Sequence, residues 1–231
     1  MRIATAALLL MGGCVFESTK YKSYPPNPYA EINVVAVLPF INQTRESRLD
    51  TIEMANVLAS ELTKFEGFRV VRPLQFFPTA GGTTSPGVPS SAEEAIRWGR
   101  GAKADAVLVA AVTDYDPFEP PKIGISVQFL RVQGRSISAA DIDRIVQSAS
   151  WRRGPLALGR DKAPNWIDAF EVVYDAHEER IRKELIAYSQ AQMDTDSAFS
   201  REREFTAVQP RFLQFVSNQV LNRLFARTPS E

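Results

Sequence analysis

Few side chains in this sequence can do acid–base, nucleophilic or metal chemistry. The chain has one histidine, His177, and one cysteine, Cys14. A zinc site takes three or four such ligands, and two single residues far apart in sequence do not supply them. His177-Glu178 begins like the helical zinc-protease motif, yet the place of the second histidine is held by Ile181. A Ser-His-Asp triad would have to use His177, and no nucleophile-elbow sequence accompanies it. Carboxylates remain. Asp114, Asp116 and Glu119 cluster at one turn, where they could serve acid–base chemistry, hold a calcium ion, or simply be solvated. Asp194 and Asp196 pose the same choice, and a solvated turn is the expectation for both groups. Arg152-Arg153, with Arg160 and Lys162, form the one basic run, with Lys122 and Arg144 outside it. That run suits a solvated loop, or a contact with anionic lipid or a partner. No catalytic residue, metal or cofactor is expected from these patterns.

The elements that would position these residues follow from hydrophobic periodicity. Ile32–Ile41 (INVVAVLPFI) is short, apolar and β-branched, as a buried strand should be. Asp50, with Glu53 three residues on, starts a helix over 50–65 that Gly67 ends. Phe68–Val71 is a second strand. The Gly-, Pro- and Thr-rich stretch 76–90 is a long loop, mobile or functional, without the Gly-Lys-Ser/Thr ending of a phosphate loop. Ser91 caps a helix through about Gly101, with Glu93 and Glu94 in its first turn, where the helix dipole favours acids. Asp105–Tyr115 and Ile123–Val132 form an antiparallel hairpin. Its second strand alternates, with Ile123, Ile125, Val127 and Phe129 on one face and Ser126 and Gln128 on the other. A short helix is suggested in 138–150, followed by a basic loop over 151–163. From Pro164 to about Ala191, Trp166, Phe170, Val173, His177, Ile181, Leu185 and Tyr188 recur at three- and four-residue steps, which predicts one long helix. His177 is then expected as a packed side chain on its apolar stripe. A final amphipathic helix spans about 209–227, with Pro210 in its first turn. The order β-α-β-α-β-β followed by helices predicts an α/β fold, a mixed sheet of four to five strands between helices.

The amino terminus reads MRIATAALLLMGGC. Arg2, the apolar Ile3–Met11 and Gly12-Gly13 have the layout of a secretory signal. The apolar run falls far below the ~20 residues of a membrane-spanning helix. Met11-Gly12-Gly13-Cys14 resembles a bacterial lipobox, which implies acylation of the Cys14 thiol and cleavage before it. Residues 1–13 are thus expected as a signal peptide and 14–30, with Pro25, Pro26 and Pro28, as a tether to the membrane. Residues 31–231 would form a single α/β domain with its helical extension over 164–191 and 209–227. Val15, which is not an aspartate, resembles the sorting pattern for the outer membrane.

Composition narrows the partners. Lys plus Arg and Asp plus Glu number 27 each, so the formal net charge is zero. Nucleic-acid binding, which needs clustered cations, is not expected. One cysteine cannot form an internal disulfide.

Some segments carry a family resemblance. Val35-Ala36-Val37-Leu38-Pro39-Phe40-Ile41-Asn42 followed by a helix, then Gly67-Phe68-Arg69-Val70-Val71-Arg72-Pro73, resembles the opening of the curli secretion-channel lipoprotein superfamily. That group includes the lipoprotein activators of penicillin-binding proteins and the amino-terminal domain of the Tol-system translocation protein. Ala95, Gly99, Ala104-Asp105-Ala106-Val107-Leu108-Val109 and Tyr115 continue the likeness, which covers roughly residues 32–133. The resemblance implies a three-layer α/β domain in the periplasm, lipid-anchored and working through protein contacts in secretion, surface-polymer export or wall synthesis. Three readings follow, in order: a non-enzymatic scaffold that holds other envelope proteins, a homo-oligomeric ring in a secretion conduit, and a periplasmic hydrolase. Only 105–132 is long enough for the transmembrane hairpin of a curli-type ring. Its first strand is apolar on both faces, as suits a sheet interior, so no barrel of its own is expected.

Overall fold

A computed structural model of the chain describes residues 24–73, 87–132, 166–192 and 209–225. Its elements in chain order are β1 (Val34–Val37), β2 (Ile41–Asn42), α1 (Thr51–Leu62), β3 (Arg69–Val71), α2 (Ala92–Gly101), β4 (Ala106–Asp116), β5 (Lys122–Arg131), β6 (Trp166–Asp175), α3 (Glu179–Gln192) and α4 (Gln209–Phe225). The strands form one six-stranded mixed sheet in the order β3-β1-β4-β5-β6, with β2 pairing beside β1 on β4. β1 runs parallel to β3 and β4, while β4, β5 and β6 are successively antiparallel.

Local chemistry sets the element ends. The apolar stretch expected as one strand is divided at Leu38-Pro39-Phe40 into β1 and β2. Pro39 has no N–H to give to the ladder, whereas Leu38 N–H still donates to Leu108 C=O at 3.0 Å. Asp50 caps α1 by accepting from the Ile52 and Glu53 amides. Gly67 turns the chain from α1 into β3 at φ +89°, the left-handed region that favours glycine, and a Cβ there would press on Asn27. Ser91 caps α2, accepting from Glu94 N–H at 3.2 Å.

Two apolar layers sandwich the sheet. One face carries Val35, Leu108, Ile125, Phe129 and Phe170 against α1, α3 and α4. The other carries Ala36, Leu38, Val107, Val109 and Ala169 against α2. The three-layer α/β arrangement is therefore the one expected. β4 is buried from Ala106 through Val112, between β1 and β5, as a strand apolar on both faces should be.

Two expectations change. The helix predicted from Pro164 to Ala191 is a strand in its first part: Trp166–Asp175 pairs with β5 from Lys122↔Asp175 to Leu130↔Trp166. The stretch is rich in β-branched and aromatic residues, and Phe170, Val172 and Tyr174 also repeat at period two. Long-range pairing with β5 selects that period over the helical one. His177 consequently leaves the apolar stripe for the turn before α3, where it is exposed. The second change concerns the tether. From Tyr24 on, the segment packs against the folded layers. Asn27 N–H donates to Glu66 C=O at 3.0 Å, Asn27 Nδ2 to Ile32 C=O at 2.5 Å, and the Tyr24 ring meets Phe65 edge-on at 5.2 Å.

Cys14, the loop over 76–86, the suggested helix at 138–150, the basic run Arg152, Arg153, Arg160 and Lys162, Arg144, and Asp194 and Asp196 lie outside the described residues.

Candidate functional site

The β4–β5 hairpin brings three of the sequence-predicted carboxylates to one end of the sheet, and β6 adds a fourth. Lys122 Nζ lies 2.8 Å from Asp114 Oδ2. The bond Lys122 donates to Asp114, the charge of that carboxylate, and the further charges of Asp175 and Asp116 hold the Lys122 ammonium above its ordinary range. Asp116 Oδ1 accepts Phe118 N–H at 3.0 Å, an Asx turn that starts the hairpin loop, and the Glu119–Pro120 bond in that loop is cis. Among the described residues, no three His, Cys, Asp or Glu side chains converge as a metal would need.

His177 pairs with a neighbour two residues back. Asp175 Oδ1 accepts the His177 amide at 2.8 Å and lies 2.9 Å from its Nδ1. The backbone bond from His177, more than its ring, holds the Asp175 carboxyl below the ordinary range. The contact shapes the turn into α3.

Sequence reading passed over Glu61, which is 2% exposed on α1. Its Oε1 takes Lys64 Nζ at 2.5 Å, while its Oε2 is buried without a hydrogen-bond partner. Burial pushes its carboxyl pKa up, outweighing the opposing effect of Lys64. The signal was present in the spacing: Glu61 stands four residues after Val57 and four before Phe65, both buried, so it continues the apolar stripe of α1. Glu61 lines a cavity of about 440 Å³ beside α4, together with Ser60, Arg72 and Gln214.

On the opposite face of the sheet, Ser126 and Gln128 occupy the side of β5 that the alternation assigned them. Both are fully buried, and neither side chain has a hydrogen-bond partner.

No family model matches the chain, and no curated protein does. Solved structures do. The PelC dodecamer from Paraburkholderia phytofirmans is 20% identical, with 46% of this chain and 66% of that chain covered at a TM-score of 0.31. This chain therefore spans about two thirds of that one's length. The C-terminal domain of LpoB from Salmonella enterica is 21% identical, covering 47% and 78% at a TM-score of 0.37. The lipoprotein GNA1162 from Neisseria meningitidis is 12% identical, covering 82% and 96% at a TM-score of 0.37.

Proposed function

We propose that the chain is a lipid-anchored protein of the bacterial envelope, facing the periplasm from the outer membrane, that holds other envelope proteins together in export or assembly and does no catalysis. The observation that carries this reading is the placement of the single cysteine: Cys14 directly follows Gly12-Gly13 at the end of the one signal-like segment. Acylation there would consume the sole thiol, and two or three acyl chains anchor a protein far more firmly than one. The docked segment at Tyr24 leaves nine residues between it and Cys14, a stretch that spans at most about 35 Å when extended. The domain is thereby kept close to the bilayer, within range of other membrane-held proteins.

The test is the intact mass and location of the expressed protein beside a Cys14→Ala variant. Lipidation predicts a wild-type chain beginning at acylated Cys14 in the outer-membrane fraction, and a variant that is neither cleaved nor acylated there. An unmodified wild-type amino terminus would sink the anchoring. Light scattering on the solubilised protein separates the remaining readings: a monomer or small oligomer fits a scaffold, and a discrete species of many subunits fits a ring.

A further inference from the structure

α1 and α4 pack side by side over the sheet, and among the described residues their outer seam is open. Two adjoining cavities run along it, sharing Glu53 and Val57 as common wall. The first is the 440 Å³ space beside Glu61. The second, about 320 Å³, has an apolar floor of Leu49, Met54 and Leu213 and ends at Tyr115 and Pro117 of the β4–β5 hairpin. The chain passes from Pro117 directly into Phe118, which at 79% is the most exposed large apolar side chain among the described residues. Singly exposed apolar residues are ordinary on protein surfaces. Phe118 itself does not line the cavity, but it follows the lining residue Pro117 in the chain, and exposed aromatic side chains are frequent anchors for partners.

The polar lining of the seam has a sign. Glu46, Asp50, Glu53 and Glu61 line the two cavities, against Arg48 and Arg72. Glu46 and Glu53 are exposed and in no ion pair among the described residues. Glu61 is different: a buried carboxylate with one oxygen on Lys64 and the other unpartnered. A buried acceptor without a donor costs free energy that an incoming N–H group would recover. The acidic excess, the half-satisfied Glu61 and the apolar floor therefore ask for the same ligand, a cation on an aliphatic background.

We propose that the α1–α4 seam is a docking groove for an extended segment of a partner protein, with a lysine or arginine between Glu46 and Glu53 and aliphatic side chains over Leu49, Met54 and Leu213. Phe118 packs against the bound segment at the groove's end. The cavities are of a size that takes a few side chains each, and peptide segments are held in such apolar grooves by regularly spaced anchors. The acidic rim speeds encounter and sets register, so binding weakens with salt. This deepens the scaffold reading by naming the partner's chemistry and rests on that reading for the partner's existence. Lipidation is read by mass at Cys14 and docking by peptide binding, so either can fail with the other intact.

The experiment uses the full lipidated chain in nanodiscs of zwitterionic lipid, with empty nanodiscs as the blank. The probes are fluorescein-labelled hexapeptides alternating lysine with leucine, or glutamate with leucine, followed by anisotropy. The lysine peptide is expected to bind and the glutamate peptide not to. Glu46→Lys combined with Glu53→Lys should weaken binding at least tenfold. Phe118→Ser, at an exposed position that leaves the fold intact, should weaken it several-fold. A photoreactive leucine analogue in the lysine peptide should crosslink to α1 or α4. Equal binding of both peptides, no binding of either, or binding unchanged in the double charge reversal overturns the groove. Self-association lost in Phe118→Ser, without peptide binding, would assign the seam to a second copy of this chain and overturn it as well.

Discussion

The two faces of the sheet are covered in opposite ways. Toward α1, α3 and α4 the layer is thick and aromatic. Phe215 meets Tyr188 at 5.7 Å and Tyr174 at 6.1 Å, and Phe225 meets Phe65 at 5.4 Å and Phe129 at 6.0 Å. Toward α2, among the described residues, the layer is thinner: Ala36, Ala95, Ala104 and Ala169 lie in it beside Leu38, Ile96 and Leu130, and Gly99 brings the helix backbone against the sheet. A Cβ on Gly99 would collide with the side chains of Val107 and Val132. The same strands serve both faces because successive side chains point to opposite sides. The thick face gains its stability from large side chains filling the space between the sheet and three helices. The thin face gains it from close approach, so the two should respond oppositely to volume. The thick face should suffer from removal of atoms, the thin face from addition.

The largest expected effect is Phe215→Ala. Its ring is fully buried between Tyr174 and Tyr188, and truncating such a side chain costs about 3–5 kcal/mol. Urea unfolding followed by circular dichroism should show a correspondingly lower midpoint. A loss under 1 kcal/mol would mean that the aromatic layer is not close-packed. Gly99→Ala is next, at about 1–3 kcal/mol from overpacking. Adding Val107→Ala to it should recover part of that loss, since the two side chains compete for one space. If the double variant is destabilised by the sum of the two single effects, the close-approach account of the thin face fails.

The smallest effect concerns Glu61, an acid of α1 buried in the thick face. Its folded-state pKa is raised by burial, so the folded chain holds that proton more tightly than the unfolded chain. The stability linked to Glu61 is fully present below the ordinary value of 4.5 and is lost as pH rises through the raised folded value. Glu61→Gln removes this dependence. The stability of the variant relative to wild type should therefore climb between acid and neutral pH, and then level off. A difference constant across that range would show that Lys64 fully compensates the buried charge.

How much of this was legible beforehand differs by element. α1 and α2 could be read because their signals are local: Asp50 and Ser91 cap them, and their apolar residues keep helical spacing. The β4–β5 hairpin was equally plain from its alternation and the turn at Asp116-Pro117. β6 was not. WIDAFEVVYD satisfies both a period of 3.6 and a period of two over its large residues, and only its ladder with β5 decides between them. His177 moved with that decision, from a helical stripe to an exposed turn. The candidate groove was only partly visible, since Asp50, Glu53 and Tyr115 could be named from the sequence as a helix start and a strand end. That they share one cavity with Pro210 and Leu213 of α4 could not.

The sequence alone determined what is local or compositional. It placed one cysteine after a signal-like segment, set equal numbers of acids and bases, capped two helices and patterned the central strands. These depend on neighbours within a turn or two, where side-chain chemistry acts without knowledge of the fold. Only the tertiary structure decided that residues after Trp166 form a strand, that Tyr24 docks on Phe65, that Glu61 is buried, and that the two sheet faces differ in thickness. Each of these depends on contacts between residues far apart in the chain, and packing among such residues overrides local preference.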